Sequence, residues 1–386
     1  MIPREAEKTL KKMAQDFSIL LITGPRQSGK TTLVKKLFPD FDYVLLEDID
    51  EREFALTDPR GFLDRFPKGV ILDEVQRTPD LLSYLLGLSD QNKKRRFILT
   101  GSQNILLMDT ITQSLAGRVG AFHLLPLSHS ELVSASISLK SLEKNLFTGF
   151  YPKIHDENLD PQMWLQSYYR TYLERDVRTL SDIGDLNSFQ RFVRLCAARS
   201  GQILNFSALA NDAGISHPTA KKWLSVLEAS FIVRLLEPHH KNFSKRLIKS
   251  PKLYFLDTGL LCYLLRITSS ETLRTHALRG AIFETFVVSE LVKTFLNRSL
   301  DVPLYYWRDH TGNEIDILVE YSDHLLPLEI KSGHTISSDA FKGLRFWMGL
   351  PKNPNKRGIL VYAGPKRYLR ERIEVMPWDT LKLPVD

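Results

Sequence analysis

The chain has 386 residues, of which 43% are apolar and 25% charged, a balance that fits a globular protein of two or three domains. It has no run of about eighteen apolar residues and opens on a polar segment of mixed charge, so neither a membrane span nor a signal peptide is expected. The net charge of +7 is moderate and excludes no class of partner; its clustering is more informative. The two cysteines, Cys196 and Cys262, stand singly in apolar segments and read as small core residues in a reducing cytoplasm rather than as a disulfide or metal pair.

In chain order, residues 2–15 read as an amphipathic helix and residues 17–22 as an apolar, β-branched strand. Gly24-Pro-Arg-Gln-Ser-Gly-Lys-Thr31 follows and opens a helix. Two bracketing glycines, a lysine and a threonine between a strand and a helix form a phosphate-binding loop. Backbone N–H groups of such a loop and the helix N-terminus favour an anion. Gly24, Gln27, Ser28, Gly29, Lys30, Thr31 and Thr32 are therefore the candidate nucleotide-binding residues. Lys30 is placed to reach the β- and γ-phosphates, and Thr31 to ligate magnesium. Residues 41–46 read as a further strand, and residues 51–63 as a helix broken at Asp58-Pro59. Residues 69–73 form a strand ending in Asp73-Glu74. There Asp73 is expected to hold the magnesium and Glu74 to polarise the attacking water.

A helix is expected over residues 81–88 and a buried strand over 96–102. Strands alternating with helices imply a parallel sheet that binds ligands at its carboxyl edge. This places Ser102, Gln103 and Asn104 near the γ-phosphate, unless they are an ordinary polar strand end. Arg118, before a strand expected at residues 121–127, is a candidate for stabilising charge on the transferred phosphoryl group, in cis or in trans; a plain surface arginine is the alternative.

Residues 127–173 read as largely helical, with aromatic spacing that suits helix packing. Residues 187–237 then show a short helix, a glycine turn at Gly214 and a helix capped by Ser216, the helix-turn-helix pattern. Strands at 231–236 and 252–256 flank a basic loop, as in a winged helix. Lys221, Lys222, Lys245, Arg246 and Lys249 are the candidate DNA-contacting residues, and a purely structural linker is the competing reading. In the last third, a helix carrying Glu284 precedes strands at 304–308, 314–319 and 326–331, a helix at 340–348 and a strand at 358–362. Asp316, Glu329 and Lys331 can converge at strand ends, with Glu284 from the helix, as a magnesium-dependent phosphodiester site or as the relic of one.

Together these motifs resemble the bacterial and archaeal AAA-superfamily ATPases that carry a C-terminal PD-(D/E)XK nuclease-like domain of uncharacterised function. The resemblance also draws on Leu72-Asp-Glu-Val-Gln76, Ser114-Leu-Ala-Gly-Arg118, Tyr172-Leu-Glu-Arg-Asp176, Pro251-Lys-Leu-Tyr-Phe-Leu-Asp-Thr-Gly259, Glu314-Ile-Asp316 and Glu329-Ile-Lys-Ser332. It implies an α/β chain: a P-loop AAA-type core over residues 1–130, a helical region over 131–186, a winged helix over 187–265 and a restriction-endonuclease-like domain over 266–386. It further implies ATP and magnesium as cofactors and assembly into a homo-oligomer. The expected activity is ATP hydrolysis coupled to binding or remodelling DNA; the alternative is a nucleotide-controlled oligomeric or signalling switch with no DNA substrate.

Overall fold

The computed structural model describes residues 2–92, 94–102, 117–137, 141–173, 185–239, 249–351, 353 and 355–383. The expected elements Gln103 and Asn104, residues 114–116 and 174–176, and Lys245 and Arg246 lie outside them.

The N-terminal unit alternates strands and helices: α1 (Glu7–Asp16), β1 (Ile19–Thr23), α2 (Lys30–Leu37), β2 (Asp42–Leu45), α3 (Ile49–Thr57), α4 (Pro59–Asp64), β3 (Gly69–Asp73), α5 (Leu81–Gln91), β4 (Arg96–Thr100) and β5 (Val119–His123). All five strands are parallel, in the order β2-β3-β4-β1-β5. Side chains alternate across a strand, so each strand feeds two cores. Ile19 and Leu21 of β1 join Phe62, Leu82 and Leu85 on one face. Leu20 and Ile22 join Leu10, Leu33 and Val34 on the other. A sheet covered on both faces needs continuous apolar strands, and β1 and β3 are buried throughout. The helix break falls at Asp58, whose side chain accepts from the Gly61 N–H and caps α4.

The last strand of this sheet covers Val119–His123 rather than the expected 121–127. Residues 124–127 are apolar for a different reason. The Leu124 N–H donates to Thr23 O at 2.8 Å, and the Leu127 N–H to Phe150 O at 2.9 Å. They lead the chain past the phosphate-binding loop into the helical layer.

That layer contains α6 (His129–Ser134), α7 (Leu142–Thr148), α8 (Pro152–Asp156) and α9 (Pro161–Tyr168). Next come α10 (Leu186–Ala198), α11 (Phe206–Ala213) and α12 (His217–Ala229), with Trp223 packed edge-on against Phe189 and Phe192. Gly214 ends α11 in the left-handed region, and Ser216 caps α12 by accepting from the Thr219 N–H. An antiparallel hairpin of β6 (Val233–Leu236) and β7 (Lys252–Phe255) follows.

The C-terminal part contains α13 (Thr258–Leu264), α14 (Ser270–Thr275), α15 (Arg279–Leu296), β8 (Leu304–Arg308), β9 (Glu314–Glu320), β10 (Leu325–Lys331), α16 (Lys342–Met348), β11 (Gly358–Tyr362), β12 (Tyr368–Arg370) and β13 (Ile373–Pro377). Its sheet runs β12-β13-β11-β10-β9-β8. Alternation again divides two faces: Ile359 and Val361 of β11 join the core under α15, and Leu360 and Tyr362 the core under α16. One apolar core runs from Leu125 through α9, α10, the hairpin and α15 into this sheet, so it crosses residues 186 and 265 without a break. Both cysteines are free and buried. Among the described residues no helix is long and apolar enough to cross a membrane.

Candidate functional site

The loop between β1 and α2 is held in a shape only glycine permits at two points. Gly24 has φ +146°, and a Cβ there would stand 2.1 Å from Leu124 O. Gly29 caps α2 at φ +92°. Within the loop the Lys30 ammonium donates to Gly24 O and Pro25 O, each at 2.9 Å. Ser28 Oγ is buried and has no hydrogen-bond partner among the described residues, a buried polar group left unsatisfied beside the loop.

The expected magnesium pair meets. Thr31 Oγ1 donates to Asp73 Oδ2 at 2.7 Å. Asp73 is over-determined by three further donors. Tyr43 OH reaches Oδ2 at 2.8 Å, the Glu74 N–H reaches Oδ1 at 3.1 Å, and the Thr100 hydroxyl also donates to Oδ1. Burial, and then the bond to Asp73, raise the Tyr43 phenol well above its ordinary range, so it stays a donor. The parallel register explains the meeting. Asp73 ends β3, beside Leu45 of β2, and Thr100 ends β4. The strand ends therefore deliver these side chains to one edge of the sheet.

Glu74 sits in the left-handed region at φ +59°, which turns its side chain away from the strand path. Its carboxylate accepts from the Gln76 amide and from Ser102 Oγ at 3.5 Å, while Gln76 Nε2 also donates to Ser102 at 3.1 Å. Ser102 thus stands beside the expected water-polarising residue. A cleft of about 650 Å³ opens over these groups, lined by Arg26, Lys30, Tyr43, Asp73 and Glu74 and by Lys153 of α8. Arg4 backs the loop. It is buried and donates to Ser28 O at 2.8 Å, to Leu125 O at 2.7 Å and to Glu131 at 3.0 Å.

Arg118 is not brought to this cleft within the chain. It precedes β5, whose Val119 lies opposite Ile19 at the start of β1, whereas the loop follows Thr23, opposite His123. At about 3.3 Å per residue, the length of the strand separates Arg118 from the loop. Its guanidinium pairs with Asp90 at 2.9 Å, both groups being more than half exposed. Sequence reasoning missed Tyr43, Gln76, Thr100, Arg4 and Lys153. Gln76 had a signal, in its place two residues beyond Glu74. The others become neighbours only through the fold.

The C-terminal residues do converge. Lys331 Nζ lies 2.6 Å from Glu329 and 3.8 Å from Asp316, and Asp316 accepts the Ile330 N–H at 2.8 Å. Burial first, and then the Asp316 charge, push the Glu329 carboxyl well above the usual range. Glu284 accepts from Tyr254 OH at 2.5 Å and has Lys252 Nζ at 3.4 Å. Among the described residues no three histidine, cysteine, aspartate or glutamate side chains are gathered as metal ligands. Lys221 and Lys222 of α12 and Lys249 are solvent-exposed.

The chain matches an AAA domain over residues 16–133 and two domains of unknown function, DUF8612 over 139–271 and DUF4143 over 279–381. Uncharacterized proteins of Mycobacterium bovis and Mycobacterium tuberculosis are each 32% identical to it over 383 residues, covering 98% of this chain and 84% of theirs. Among solved structures, a Walker-type ATPase of Pyrococcus abyssi covers 69% of this chain and 96% of its own at 15% identity, with a TM-score of 0.47.

Proposed function

The chain belongs to the family of the two mycobacterial proteins and carries an AAA domain, and from that premise we propose that it hydrolyses ATP with magnesium and couples the cycle to binding or remodelling DNA. The observation that supports this best is the 2.7 Å pair of Thr31 and Asp73 beside a loop whose shape, lysine and orphaned Ser28 hydroxyl fit a nucleotide phosphate. Magnesium bound there would neutralise charge on the phosphoryl oxygens. Thr31 would offer its hydroxyl oxygen to the ion, and Asp73 would hold that hydroxyl and the ion's water. Lys30 would exchange its two loop carbonyls for phosphate oxygens. Glu74 would take the water's proton once it leaves Gln76 and Ser102.

Arg118 acts in this reading only from a neighbouring subunit, which requires a homo-oligomer. The three helices α10–α12 with their hairpin serve as a winged helix, with Lys221, Lys222 and Lys249 toward DNA and Lys245 and Arg246 between the strands. The C-terminal sheet serves as a nuclease-like unit around Glu284, Asp316, Glu329 and Lys331. A second reading, a nucleotide-controlled switch with slow turnover and no DNA substrate, draws support from the hold of Gln76 and Ser102 on Glu74.

ATP turnover with duplex, single-stranded and four-way-junction DNA separates the two. Coupling predicts stimulation by at least one form, together with a DNA affinity that falls steeply with salt as counterions are released. Turnover indifferent to every DNA, without measurable affinity at low salt, leaves the switch.

A further inference from the structure

The motif around residues 251–259 places one lysine where neither reading uses it. Lys252 begins β7, is 3% exposed, and reaches out of the hairpin into the C-terminal carboxylates. Its Nζ lies 2.5 Å from Glu314 and 3.4 Å from Glu284. Glu314 is shared with Arg308 at 3.1 Å, and Glu284 with Tyr254 OH at 2.5 Å. The strand that carries Lys252 is pinned on both sides. Lys252 pairs with Leu236 across the hairpin and bridges Ile203, the Gly201 N–H donates to Leu253 O at 2.7 Å, and the Leu204 N–H to Pro251 O at 2.8 Å. The ammonium is therefore delivered by the backbone rather than by a swinging surface chain.

We propose that Lys252 is a built-in cation that closes the C-terminal carboxylate cluster to divalent metal, an autoinhibitory contact made by the hairpin against the six-stranded sheet. A hard divalent cation needs several oxygens at about 2.0–2.6 Å. Glu284 and Glu314 are the carboxylates nearest Lys252, and an ammonium already lies against both. A metal entering beside that charge meets repulsion and finds its oxygens already taken. Lys331 plays the matching part for Asp316 and Glu329, but it lies on the same sheet as its partners, whereas Lys252 comes from the hairpin.

The test is titration of the full-length protein with Mn²⁺ alone, free Mn²⁺ being read by electron paramagnetic resonance. Wild type and Glu284→Gln are expected to give the same isotherm, because Lys252 already engages Glu284. Lys252→Met is expected to gain one site per chain, binding about tenfold tighter or more than wild type because charge count sets the affinity of such sites. Lys252→Met/Glu284→Gln should lose that gain. Unpairing buried carboxylates destabilises, so Mn²⁺ should also raise the melting temperature of Lys252→Met more than that of wild type. If Lys252→Met folds in neither condition, the comparison of wild type with Glu284→Gln decides. A wild-type site that disappears in Glu284→Gln overturns the proposal, as does a folded Lys252→Met that gains no site.

Discussion

Glu74→Gln is expected to lower MgATP turnover by roughly 10²–10⁴-fold, the range for removing a general base, while nucleotide affinity changes little. The amide keeps the size of the side chain but cannot take a proton from water. It also keeps a hydrogen-bonding oxygen for Gln76 and Ser102, the two residues that hold Glu74. A fluorescent-nucleotide titration beside single-turnover hydrolysis separates binding from chemistry. Turnover within a few-fold of wild type would remove Glu74 from the reaction. A parallel loss of affinity and turnover would mean that its role lies in shaping the cleft.

The second large effect is on the fold beneath the loop. Arg4→Ala is expected to destabilise the chain by about 3–5 kcal/mol, the cost of removing one partner from a buried ion pair. Glu131 is 1% exposed, and its carboxylate also accepts the Glu5 N–H at 2.7 Å and the Ser128 N–H at 2.9 Å. Without the guanidinium it is a buried charge with only dipoles for company, and the carbonyls of Ser28 and Leu125 lose a donor. Because Ser28 belongs to the phosphate-binding loop, nucleotide affinity should fall together with stability. Urea unfolding of wild type and variant measures the first, and the same nucleotide titration the second. A loss below about 1 kcal/mol, the size typical of an exposed pair, would contradict this account of Arg4.

What could be read from the sequence was what local spacing determines. The loop from Gly24 to Thr31 is fixed by glycines at set offsets, and Asp73 by the end of an apolar run, so both stand where they were expected. The break at Asp58-Pro59, the cap at Ser216 and the turn at Gly214 are equally local. Arg118 shows the limit. Its neighbours suggest a strand near the site, but which end of the sheet it occupies depends on the register of β5 with β1, which no short window contains. The strand β12 was missed because Tyr368, Leu369 and Arg370 are all exposed and so carry no apolar alternation. Lys252 falls at the start of a strand, as expected, but what it touches there was not legible. Its partners Glu284 and Glu314 are 32 and 62 residues further along the chain, and a lysine at a strand start reads as solvated.

The most direct test of the account is MgATP turnover by the purified full-length chain beside Lys30→Ala. Lys30 is buried and folded over its own loop, so the substitution removes the positive charge aimed at the phosphates. Wild type should hydrolyse ATP only when magnesium is present, and Lys30→Ala should lose about 10²–10³-fold of that rate, the scale for removing one group that stabilises developing charge. Turnover that survives in Lys30→Ala, or that proceeds unchanged with magnesium chelated, would contradict the assignment of this cleft as the site of ATP hydrolysis.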